Sequence, residues 1–253
     1  MRSLIRKLLP MAKAAVPEGV RRQVYLYRIK RWDAKFGLQP AEDVFTAIYK
    51  QGKWGADPQG GEFYSGSGSH DCELVLPYVE AVSAFLQSLP SPPSVVDLGC
   101  GDFNVGRKLR PYCGKYTACD VVPDLISRNR ARFGNADVDF RCLDITKDHL
   151  PEGDVAVLRQ VLQHLSNSQI LKVLPKLYHY KTLVFTEHLS TDPDFCPNVD
   201  KPAGAMVRVY SRSGVDLTRP PFNLKVKSAN VICSSTRAVD QYPGIIKTFL
   251  YQL

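Results

Sequence analysis

From Asp71 onward the apolar positions switch repeatedly between two periods. Leu74, Leu76, Val79, Val82 and Phe85 recur at helical spacing and predict a helix over about residues 72–88. The proline-rich LPSPP then leads into a short apolar run, SVVDLG, which reads as a strand. The pattern continues with a helix near 104–111, a strand YTACDVV, a helix near 123–133, strands VDFRCLDI and DVAVLRQ, a helix near 167–178 and a strand KTLVFTEH. Strands alternating with helices predict an α/β fold, a parallel sheet with helices on both faces. The tail breaks the alternation. NLKVKSANVICSS and GIIKTFLYQL follow each other with only a short connection, which predicts a terminal hairpin on the same sheet.

Upstream, Leu4, Ile5, Leu8 and Leu9 fall at helical spacing with Arg6 and Lys7 on the other side, and Pro10 ends the run. Pro17 and Glu18 suit a second helix start, followed by Val20, Val24, Tyr27 and a cluster of arginines as far as Gly37. Residues 51–70, QGKWGADPQGGEFYSGSGSH, have the glycine and serine content of a linker. Trp54 and Tyr64 within them argue for a loop that closes on something. The expected organisation is an N-terminal helical arm, 1–44, and one domain, 45–253, with a long insertion at 189–222 after the fifth strand.

Charge changes the picture of the arm. The 253 residues hold 33 Lys and Arg against 25 Asp and Glu, a net charge of +8. Nine of the basic groups and one acid, Glu18, lie in residues 1–31, and the other 222 residues hold 24 groups of each sign. A protein-wide basic field of the kind that grips nucleic acid is therefore not expected. The arm reads either as a basic amphipathic anchor on an anionic membrane or a partner, or as a helical extension packed on its own domain or on a second subunit. Seven cysteines, none in a C-x-x-C pair, suggest neither a disulfide framework nor a metal cluster and fit a reducing compartment. With no apolar run of about 18 residues and a poor secretory signal, a cytoplasmic protein is expected, with contact at the inner membrane face left open.

The sharpest chemical feature is Val95-Val96-Asp97-Leu98-Gly99-Cys100-Gly101-Asp102, an apolar strand running into an acid, two glycines and a helix. Glycines there allow a close ligand approach that a side chain would block. A dinucleotide fingerprint would need a third glycine where Asn104 stands, so a ligand with an amino group fits the Asp97 carboxylate better than NAD. Asp120, followed by Val121, ends the next strand 19 residues after Gly101, where a carboxylate can take both hydroxyls of a ribose. Asp144 ends the third strand beside Ile145, a pair able to hold and cover an adenine. Each acid alone could be a solvated strand end, but three at successive carboxyl ends form a constellation at the edge where open α/β sheets bind ligands.

With the strings VVDLGCGDFNVGRKL, CDVVPDLISRN, LRQVLQHLSN and a later TEH followed by PPFN, the chain resembles the class I S-adenosylmethionine-dependent methyltransferases from about Phe45 to its C-terminus. The resemblance implies a Rossmann-like, seven-stranded mixed sheet whose last strand is antiparallel, and S-adenosyl-L-methionine as cofactor. It implies that Asp97, Gly99, Cys100 and Gly101 form the cofactor loop, that Asp120 with Val121 holds the ribose, and that Asp144 with Ile145 holds the adenine. Tyr64 and the run Ser65–Ser69 look like a lid over the methionine end, with Trp54 beneath. Gln160 departs from the pattern, because related sequences often carry an acid there. It can still hydrogen-bond the methionine part.

A sulfonium methyl donor asks the protein mainly for positioning, and for a base only where the acceptor must lose a proton. The candidates at the strand edge are His188, His164 and Glu187, while His70, His149 and His179 read as solvated. Asp200, Lys201 and Arg208 of the insertion could line a polar acceptor site. The expected reaction is methylation of an oxygen on a small or glycan-like, sugar acceptor. Methylation of an amine or lipid head group, or an inactive cofactor-binding partner protein, are the alternatives.

Overall fold

The computed structural model describes residues 16–36, 39–57, 60–238 and 242–253. The helix expected over Leu4–Leu9 lies outside them. The second N-terminal helix is α1 (Glu18–Phe36), on which Val20, Val24 and Tyr27 are exposed. Next, α2 (Ala41–Lys50) turns Ala41, Val44, Phe45 and Ile48 into the main core, so the packed body begins upstream of residue 45. Among the described residues no helix is long and apolar enough to cross a membrane.

The body follows the alternation of the sequence. In order come α3 (Ser67–His70), α4 (Cys72–Gln87), β1 (Ser94–Leu98), α5 (Gly106–Leu109), β2 (Lys115–Asp120), α6 (Pro123–Phe133), β3 (Asp139–Cys142) and β4 (Val155–Arg159). Then follow α7 (Asn167–Leu177), β5 (Thr182–Ser190), β6 (Ser228–Thr236) and β7 (Gly244–Gln252). The strand order is β3-β2-β1-β4-β5-β7-β6. Strands β1 to β5 pair in parallel, and β7 runs antiparallel between β5 and β6. This is the expected mixed sheet, closed by the terminal hairpin. Its central strands are buried and mostly apolar, as expected of parallel strands covered by helices on both faces.

Local chemistry sets the helix ends. Asp71 accepts from the Glu73 amide at the start of α4, and Ser166 with Gln169 forms a capping box on α7. The helix expected near 104–111 is shorter. Phe103 takes φ +63, and only α5 and a three-residue 3₁₀ turn ending at Tyr112 follow. Pro111 inside that turn has no N–H to continue an α-helical ladder.

Candidate active site

Because β1, β2, β3, β4 and β5 run the same way, their carboxyl ends meet at one edge, and a cavity of about 490 Å³ opens there. β1 delivers the chain into Gly99-Cys100-Gly101. Gly99 (φ +93) and Gly101 (φ +55) both adopt the left-handed region, and a Cβ on either would run into Val161 or Ser65. The Gly99 and Cys100 amides both donate to the Cys119 carbonyl at 2.8 Å, which ties the loop to the end of β2.

Asp120 closes that end of the cavity. Its two oxygens accept from the Gly101 amide (3.0 Å) and the Val122 amide (3.2 Å). Burial nevertheless outweighs those bonds and pushes its carboxyl up to about 6. Beyond it, Val121, Leu143 and Ile145 form an apolar slot ending at Asp144. Partial burial pushes the Asp144 carboxyl up, but bonds from Thr146 (2.6 Å from Oγ1) and the Lys147 ammonium (3.2 Å) win and hold it below its ordinary value.

The Gly-Ser run folds down over the loop as α3. Asp102 is the post it is fastened to: Oδ2 accepts from the Ser65 amide (3.0 Å) and pairs with His70 Nε2 (2.6 Å), while its own amide donates to Ser65 Oγ (2.8 Å). Asn104 donates to the Ser69 carbonyl at 2.7 Å. From the other side Arg159 donates to the Gly68 carbonyl (2.7 Å), and Arg237 reaches Asp71 (3.0 Å) and Ser67 (3.2 Å).

The far end holds the two histidines. His188 Nε2 lies 2.8 Å from the Arg237 carbonyl, so Nε2 carries the proton and Nδ1 keeps its lone pair. Burial pushes its pKa below the ordinary value, and the imidazole is neutral at pH 7. His164 Nδ1 donates to the Gly204 carbonyl (3.0 Å), its Nε2 faces the Gln163 amide nitrogen (3.3 Å), and its ring lies 5.1 Å from that of Trp54. Burial, with the Lys201 charge second, drives it down to about 3. Met206, Val207, Tyr210 and Ile246 complete this wall.

A model described as a methyltransferase domain matches residues 96–181, from within β1 to the end of the α7–β5 connection. Human acetylserotonin O-methyltransferase is 30% identical over 152 residues, 57% of this chain and 40% of that enzyme, so the match spans two fifths of the relative's length. The structure of human N-acetylserotonin methyltransferase with S-adenosylmethionine superposes with a TM-score of 0.56 at 19% identity, covering 92% of this chain and 66% of that one. The N-methyltransferase NodS of Bradyrhizobium japonicum WM9, with S-adenosyl-L-homocysteine, gives 0.51 at 16% identity over 71% and 87%. The chain carries a class I S-adenosylmethionine-dependent methyltransferase domain.

Within the methyltransferase domain Gly99, Cys100, Gly101, Asp120, Val121, Asp144, Ile145, Gln160, Ser69, His164 and His188 all line the one cavity. Six expected residues do not. Asp97 faces the other side of β1, where Tyr116 Oη donates to it at 3.0 Å and burial pushes it up to about 7. It braces the loop from behind. Tyr64 stacks on His70 (4.5 Å) and borders a neighbouring cavity.

Glu187 is fully buried behind the wall, since adjacent residues of a strand point to opposite faces. Its Oε1 accepts from the Gln163 amide (3.1 Å), and burial pushes it up to about 8. Lys201 and Arg208 are buried with it, burial pushing Lys201 down to about 7. The Arg208 guanidinium holds the carbonyls of Val199 and Leu165, and Asp200 accepts from the amides of Asn167 and Lys201. These groups hold the insertion together instead of lining an acceptor site.

His70, expected in solvent, is the partner of Asp102, whereas His149 and His179 are exposed as expected. Sequence reasoning gave no site role to Tyr49, Asp102, Arg159, Met206, Tyr210 or Arg237. Trp54, expected beneath the lid, donates to the Ala205 carbonyl at 3.3 Å and so joins residues 51–70 to the insertion.

Proposed function

We propose that this domain transfers a methyl group from S-adenosyl-L-methionine to a hydroxyl oxygen of a small acceptor, with His188 as general base. The observation that carries the reading is the single cavity that joins the Gly99–Gly101 loop, Asp120 and the Ile145 slot to the lone pair of His188. The residues fit the cofactor piece by piece. In this reading Asp120 would take two ribose hydroxyls, Ile145 and Val121 would cover the faces of an adenine, Asp144 would meet its amino group, and Gln160 with Ser69 would hold the amino-acid end.

When bound, the cofactor supplies an electrophilic methyl group on sulfonium sulfur. The chain's own residues hold the acceptor and take its proton. As the acceptor oxygen bonds to the methyl carbon and the carbon–sulfur bond breaks, leaving the neutral thioether, the hydroxyl proton would pass to His188 Nδ1, and the Arg237 carbonyl, accepting from Nε2–H, would steady the resulting imidazolium. A neutral resting imidazole is the form that can accept it. The lid and Trp54 exclude water, which would compete for the methyl group.

Met206, Val207, Tyr210, Trp54 and Ile246 favour an acceptor with a largely apolar body. A sugar would bury several hydroxyls that this wall does not satisfy. The polar residues that suggested one, Asp200, Lys201 and Arg208, are engaged elsewhere.

Calorimetry with S-adenosylmethionine, followed by transfer of labelled methyl to a panel of hydroxylated aromatic, aliphatic and sugar compounds, tests the proposal. Binding plus a methyl ether is the expected result. Absence of binding overturns it, a methylated amine shifts the acceptor class, and binding with no product on any acceptor favours an inactive partner protein.

A further inference from the structure

Arg159 ends β4 on the wall of the cavity, and its charge is poorly compensated. One guanidinium nitrogen, Nη2, donates to the Gly68 carbonyl at 2.7 Å. The group lies 4.7 Å from the centroid of the Tyr78 ring. Nε makes no hydrogen bond, and among the described residues no carboxylate approaches within salt-bridge distance. Desolvation opposes the charge, but a guanidinium does not give up its proton in proteins. The Asp97 carboxylate offsets part of the charge from beyond salt-bridge distance, but a largely enclosed cation with only one carbonyl and one ring face in direct contact still costs folding free energy unless an anion joins it.

The position of the cation identifies that anion. Arg159 adjoins Gln160 and the Gly68 carbonyl of the lid, beside the residues proposed for the cofactor's amino-acid end. We infer that Arg159 forms a carboxylate subsite and receives the α-carboxylate of the cofactor's amino-acid end through the N–H groups that Gly68 leaves free. The inference rests on the proposed cofactor and adds the group that reads its negative charge. Arg159 also touches the lid backbone, so carboxylate binding and closure of residues 65–70 share one side chain. Gln160, standing where relatives often have an acid, adds no negative charge beside the incoming carboxylate.

The test compares S-adenosylmethionine with its decarboxylated form by calorimetry on the full chain and on Arg159→Met and Arg159→Lys. For the unaltered protein, losing the carboxylate should weaken binding by about 10- to 100-fold, as expected for one charge-assisted contact. In Arg159→Met the two compounds should bind alike, and Arg159→Lys should keep part of the preference because it keeps the charge. A merely structural role would weaken both compounds equally and leave the ratio unchanged. An unchanged ratio in a folded Arg159→Met protein, or equal binding of the two compounds by the unaltered chain, overturns the inference. Failure of the unaltered chain to bind either compound strikes the proposed cofactor instead.

Discussion

His188 donates from Nε2 to the backbone carbonyl of Arg237 across 2.8 Å, and this contact selects Nδ1 as the nitrogen free to accept a proton. Burial disfavours the imidazolium and lowers the pKa below its ordinary 6.5. As the proposed base, His188 would act above that lowered value, so kcat/KM for a hydroxyl acceptor should rise with pH through a midpoint below 6.5. His188→Asn should lose about 10²- to 10⁴-fold in kcat, the usual worth of a positioned base. Its cofactor affinity should stay within a factor of about 2, because His188 touches the acceptor end only. A variant with full activity would remove His188 from the mechanism.

Gly244 makes room for that imidazole. A Cβ at this position would collide with His188 Nε2 and stand 2.8 Å from the Arg237 carbonyl, breaking into the hydrogen bond that orients the ring. Gly244→Ala should leave the fold and cofactor binding intact while lowering kcat about 10-fold or more, since small misplacements of a catalytic group are costly. Steady-state kinetics beside a cofactor titration would show the split, and equal losses in both would point to a general distortion of β7.

Asp120 is expected to carry most of the ribose affinity. Burial places its carboxyl at about 6, above the ordinary 3.8, so the charged form is lost as pH falls through about 6. Cofactor binding should weaken below that pH in the unaltered protein and show little such dependence in Asp120→Asn. Asp120→Ala should cost about 10- to 100-fold in affinity, as two hydrogen bonds to a charged group are removed. Isothermal titration at pH 5.5 and 7.5 would settle both points.

Much of this was legible in the sequence because buried parallel strands read as nearly unbroken apolar runs, and SVVDL, TLVFTEH and their neighbours do so. The Gly99–Gly101 loop and Asp120 were equally visible, since backbone constraints and strand ends are local properties. Facing direction was not. Glu187 sits one residue from His188 and the alternation of a strand turns it away, while Asp97 is taken up by Tyr116 of the next strand. Lys201 and Arg208 looked like loop charges because their partners, Leu165 and Glu187 among them, are distant in sequence. The same holds for His70, whose partner Asp102 lies 32 residues on.

Asp102 should act as the fastening of the lid. It accepts from the Ser65 amide, pairs with His70 and is buried, so its loss removes two restraints on residues 65–70 at once. In Asp102→Ala the amides of residues 65–70 should exchange with deuterium about 10-fold or more faster, while those of β1, β4 and β5 keep their protection. Cofactor affinity should fall with it. Unchanged exchange in this segment would show that Asn104, Arg159 and Arg237 hold the lid without Asp102.

His164 makes a prediction about acid stability. Burial, reinforced by Lys201, drops its folded-state pKa to about 3, against 6.5 for an exposed histidine. The unfolded chain therefore binds the extra proton between those values, and the stability supplied by a neutral His164 is complete above pH 6.5 and drains away as pH falls toward 3. The raised carboxyls of Asp97, Asp120 and Glu187 work in the opposite sense, because the folded state takes up their protons first. They are common to both proteins when His164→Asn is compared with the unaltered chain. Asparagine keeps a donor for the Gly204 carbonyl but does not titrate. It should lower Tm at pH 7, where contact with Trp54 is lost, and the gap should narrow or reverse by pH 4.5. Thermal unfolding curves that stay parallel across that range would show that His164 is protonated inside the fold, and would reopen it as a candidate base.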